Sequence, residues 1–79
     1  MLTREEVEKL LADVRRRRDE AEAEAGHAAE RLARLASGLT PLAHVDAEQL
    51  RASADTFADA LESMKALDQF ARELRALLM

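Results

Sequence analysis

Cysteine is absent from the 79 residues, which excludes disulfides and thiolate metal sites. Tryptophan and tyrosine are absent too, and two phenylalanines hold the aromatic share at 3%. That leaves almost no ring surface for stacking nucleic-acid bases. Proline occurs once, at Pro41, and glycine twice, at Gly26 and Gly38, so neither interrupts the chain beyond residue 46. No apolar run approaches the roughly 18 residues of a membrane span. The N-terminal stretch is charged and lacks the apolar segment of a signal peptide, so the expected compartment is the cytoplasm. There is no glycine-rich phosphate loop, nucleophile–base pair or zinc-binding spacing. The expectation is a non-enzyme with no catalytic residue, cofactor or metal.

What remains is alanine, leucine, glutamate and arginine. The apolar fraction is 48%, but 17 of those residues are alanines, which bury little area each. Charged residues make up 35%, a blend typical of long helices and coiled coils. One domain fits in this length, and its core is marginal without association. The net charge of −4 argues against general affinity for nucleic acid or anionic membrane. Residues 1–37 hold 8 basic and 9 acidic groups and residues 38–79 hold 4 and 7, so neither half is a basic arm.

Two helices are marked by their own signals. Thr3 with Glu6 forms a capping box, flanked by Leu2 and Val7 as a hydrophobic staple, and Glu5 and Glu6 suit the positive end of the helix dipole. The apolar series Val7, Leu11, Val14, Arg18, Ala21, Ala25, Ala28, Leu32, Leu35 alternates four- and three-residue steps, a heptad seam with one charged member. Gly38, with Leu39 folding back, ends the first helix near Ser37, and Pro41 discourages its continuation. Asp46, Gln49, Val45 and Leu50 repeat the starting signals for the second helix. Its series is Leu50, Ala54, Phe57, Leu61, Met64, Leu67, Ala71, Leu74, Leu78. Two three-residue steps meet at Met64–Leu67 and predict local overwinding there. Ala58, Ala60, Phe70 and Leu77 widen the stripe.

The predicted fold is therefore all-α: helices over 3–37 and 46–78 joined by 38–45 as an antiparallel hairpin. Pairing outward from the connection sets Ala21, Ala25 and Ala28 at the level of Leu61, Phe57 and Ala54, and Leu11 and Val14 at the level of Ala71 and Phe70. A two-helix hairpin has no enclosed interior. The apolar stripe of the second helix (Leu50, Phe57, Leu61, Met64, Leu67, Phe70, Leu74, Leu77, Leu78) is the expected interaction surface. Its simplest lid is a second copy related by a two-fold axis, giving a four-helix bundle or coiled-coil-like assembly.

Arg15–Arg18 are four consecutive cations pointing four ways round a helix, with Asp19, Glu20 and Glu22 four residues after Arg15, Arg16 and Arg18. They read as a self-neutralised turn and not as a nucleic-acid face. Arg18 differs by lying on the seam, where a polar residue fixes register or oligomeric state. Its expected partner is Asp68 or Glu62, within the hairpin or across a dimer, and the competing reading is an edge position with the head in water. His27 and His44 lack a shared metal-binding face. Glu20 and Glu24 share a face, but an exposed one without the apolar pocket that would tune a carboxyl group. Gly26 costs a helix about 1 kcal/mol against alanine. Set among Ala23, Ala25, Ala29 and Ala33, it reads either as drift on a solvated face or as room for another backbone.

Three functions fit these residues: a homodimeric structural or adaptor hairpin, a co-chaperone or assembly factor that shields a client's amphipathic helix, and, least, a nucleic-acid-associated protein using the arginine turn. In layout the chain resembles the small helical-hairpin chaperones that shield needle subunits in type III secretion. The shared features are its size, its two helices, a proline-containing connection and the leucine-rich second helix from Leu50 to Leu78. That resemblance implies a partner-protein helix as occupant of the stripe.

Overall fold

The computed structural model describes residues 1–37, 41 and 44–79. Alanine-, glutamate- and arginine-rich sequence with no interior proline gives two uninterrupted helices, α1 (Arg4–Ala36) and α2 (Ala47–Ala76). No strand occurs among the described residues. Both predicted N-caps hold, without the return bond from the Glu6 or Gln49 side chain to the cap N–H that completes a capping box. The Thr3 hydroxyl accepts from the Glu6 N–H at 3.2 Å, and the Glu6 carboxylate accepts the Thr3 hydroxyl hydrogen at 3.1 Å. The Asp46 carboxylate accepts from the Glu48 and Gln49 N–H groups at 2.9 and 3.2 Å. At the end of α1 the Ser37 hydroxyl donates to the Arg34 carbonyl at 2.9 Å. The expected roles of Gly38 and Leu39 lie outside the described residues.

The helices pack against each other along their length as a hairpin with extents of 58 × 15 × 14 Å. We call the end farthest from the connection the base. There Val7, Leu11, Val14, Ala71 and Leu74 form the buried cluster, with Leu67 and Leu78 packed against it. These residues fix the register: running the two heptads in opposite directions sets Val7 with Leu78, Leu11 with Leu74 and Val14 with Ala71. Continued in step, Ala21 meets the level of Met64, Ala25 that of Ala60 and Ala28 that of Phe57. This is one turn away from the pairing counted outward from the connection, because the base core sets the register and the connection's length does not.

The α1 seam is as predicted, with Val7, Leu11, Val14, Ala21, Ala25 and Ala28 buried. The α2 seam is not. Ser53 and Ala60 are buried, while Leu50, Ala54 and Leu61 are exposed. The inward series runs Ser53, Phe57, Ala60, Met64, Leu67, Ala71, Leu74, Leu78, and its steps alternate without a break. The overwinding expected at Met64–Leu67 therefore has no cause. The base leucines fix the rotation of α2, and a 3.5-residue repeat carried up from them lands on Ala60 and Ser53. Turning Leu61 inward would need a local twist of about 100°. Alanine against alanine at mid-length needs no such twist.

Candidate interaction surface

Of the nine α2 residues predicted to form an interaction surface, Leu74 is buried, and Phe57, Met64, Leu67 and Leu78 are partly buried within the hairpin's own seam. Leu50, Leu61, Phe70 and Leu77 remain exposed, by 36, 38, 43 and 63%. They do not form one stripe. With the observed seam, Phe70 and Leu77 lie on one long edge of the hairpin with Ser63, opposite Leu10, Arg17 and Glu24 of α1. Leu61 lies on the other edge with Asp68 and Arg75, opposite Glu8, Arg15 and Glu22.

Two apolar side chains outside the predicted set join Phe70 and Leu77 at the base, Leu2 and Leu10, exposed by 49 and 36%. Leu2 lines a cleft of about 400 Å³ with Arg4, Val7, Leu77 and Leu78. It also lines a groove on the outer side of α1 with Glu6, Lys9, Leu10 and Asp13. Leu2 thus joins Leu10 and Leu77 into one apolar patch. The sequence signal was the doublet Leu10–Leu11, which puts one leucine on the seam and the next beside it.

Arg18 lies where the seam placed it, one third exposed. Its Nε donates to Asp68 Oδ1 at 3.3 Å and its Nη1 to Glu22 Oε2 at 2.6 Å, with Asp19 at 3.9 Å. The Glu22 and Asp68 carboxylates hold its guanidinium more firmly protonated than usual, against a smaller opposing effect of desolvation. Of the two partners expected for Arg18, Asp68 is the one met, within the hairpin. Two of its neighbours are neutralised locally. Arg16 binds both Asp13 and Glu20, and Arg17 Nε lies 3.0 Å from Asp13. Hydrogen bonding from Arg16, assisted by the charge of Arg17, holds the Asp13 carboxyl below the usual range. The expected Arg15–Asp19 pair is replaced by Arg18–Asp19, and Arg15 forms no ion pair among the described residues.

His27 and His44 are both exposed, and among the described residues no group of three acidic, histidine or cysteine side chains is placed to hold a metal ion. A Cβ on Gly26 would meet nothing within 4 Å, so no part of the hairpin requires glycine there. No helix among the described residues is long and apolar enough to cross a membrane. No protein-family model matches the chain, and comparison with curated proteins and with solved structures returns no match. The class defined by the fold is a two-helix antiparallel hairpin with a heptad seam.

Proposed function

We propose that this hairpin is a protein–protein interaction module whose partner is a second copy of itself. The supporting observation is surface area. The chain exposes 6063 Å², whereas a compact monomer of 8.8 kDa exposes about 4,800 Å². Its radius of gyration is 17.7 Å, against about 12 Å for a compact chain of this length. The excess, about 1,300 Å² on the same scaling, exceeds the roughly 800 Å² that each partner buries in a standard interface. Exposed leucine and phenylalanine form part of it, and covering what remains open of each adds a share of the roughly 1.5–3 kcal/mol that full burial of such a side chain is worth.

Light scattering across a dilution series tests the reading. The expected result is a mass of twice 8.8 kDa that falls toward one chain only on strong dilution. A one-chain mass at every concentration would sink it.

A further inference from the structure

We propose that the two copies join only at their bases, lapped like the ends of two rods, with their connection ends pointing in opposite directions. This rests on the homodimer reading and specifies its geometry: the four-helix bundle is confined to the lapped segment.

Two observations meet at the base. The first is the apolar patch of Leu2, Leu10 and Leu77, continuous through the two grooves that share Leu2, with the exposed Phe70 one heptad before Leu77 on the same edge of α2. Its rim holds Arg4, Lys9 and Arg17 beside Glu6, Asp13 and Glu73. Three charges of each sign make the patch electrostatically compatible with its own image.

The second observation is the distribution of charge by level along the rod. Residues 1–18 and 66–79, which make the base half, carry eight basic and six acidic side chains. Residues 19–65, which include the connection, carry four basic and ten acidic. Two hairpins side by side in the same direction would bring two strongly acidic halves together along half their length. Like charges at that spacing repel, and salt screens them only in part.

Full-length antiparallel packing avoids that repulsion but fails on the apolar side. It would lay the patch of one copy against the same edge of the other's acidic half, where Glu20, Glu24, Arg31, Thr56 and Asp59 stand. Base-on-base lapping sets leucine on leucine and leaves the acidic halves far apart. Of these three arrangements, this one meets both requirements.

Small-angle scattering with mass determination on the wild type and on the single variants Leu10→Glu, Leu77→Glu and Leu61→Glu decides it. All three positions are exposed, and circular dichroism at each step checks that the helices persist. A lap over about 17 residues at 1.5 Å each leaves a two-chain particle about 90 Å long. Leu10→Glu and Leu77→Glu should each reduce the mass to one chain, weakening association at least tenfold, while Leu61→Glu, on the other edge, keeps two chains. A two-chain particle only about 60 Å long, or a dimer lost with Leu61→Glu and kept with the base variants, overturns the lapped geometry while leaving the homodimer intact. A one-chain wild type overturns both.

Discussion

Single residues set local chemistry that titration and substitution can read. Asp13 accepts from Arg16 and faces Arg17, and its carboxyl is held below the usual 3.8. A group whose folded value is depressed adds stability that is present above the unfolded value and is lost as pH falls through the folded one. Carbon-detected NMR titration should therefore find the Asp13 midpoint below 3.8, and Arg16→Gln should move it back up. Gly26 makes a second, separate prediction. Because an added methyl meets open space, Gly26→Ala should raise stability by about 1 kcal/mol, read as a higher midpoint in thermal denaturation. A loss of the two-chain mass in the same variant would instead show that a neighbouring backbone lies on that glycine. Arg18 carries the third. It interrupts the otherwise apolar α1 side of the seam and is held by Glu22 and Asp68. A double-mutant cycle with Arg18→Ala and Asp68→Ala should show favourable coupling in thermal stability, and strict additivity would assign Arg18 to solvent alone.

Within the elements, the N-caps were legible: Thr3 and Asp46 head their helices because each places a side-chain oxygen over orphan N–H groups. The α1 seam was equally legible, since its alternation has only one solution. In α2 the sequence offers two solutions, and hydrophobicity ranks the wrong one first. Leu61 outweighs its neighbour Ala60 in any residue-by-residue ranking, yet helix rotation is decided collectively by Leu67, Ala71, Leu74 and Leu78, which no single position outvotes. The candidate surface was lost for the same reason: choosing the largest residues merged the seam with the exposed edge, so Leu74 and Leu77 were read as one surface although only Leu77 is open. Substitution separates the two seams. Ala60→Leu should overpack a buried position and cost about 1–3 kcal/mol, whereas Leu61→Ala should change stability by at most about 0.5 kcal/mol. Chemical denaturation of both variants gives the comparison, and reversed values would restore the seam through Leu61.

For the whole molecule, the informative charge pattern is invisible to a cut at mid-sequence. Dividing at residue 37 gives two weakly acidic halves because each helix mixes its two ends. Folding back brings Arg15–Arg18 level with Leu67–Phe70, and Asp19–Glu24 level with Leu61–Ala66, so the basic groups gather toward the base and the acidic ones toward the connection. An association held by apolar contact between net-negative chains should not loosen with salt. Raising sodium chloride from about 0.05 to 0.5 M, which shortens the screening length severalfold, should leave the dissociation constant unchanged or lower it. A steep rise would point to an interface built on ion pairs.

The same imbalance makes a single hairpin an electric dipole aligned with its long axis. In a pulsed field, solutions of the isolated chain should become birefringent through permanent orientation and not through counterion polarisation. A reversing pulse distinguishes these, because a permanent dipole must turn end over end and the signal dips before recovering. Near a basic surface the rod would rotate its connection end inward, leaving Leu10, Phe70 and Leu77 facing away. In a lapped pair the two dipoles oppose and cancel, so association would extinguish the orientation that the single chain possesses.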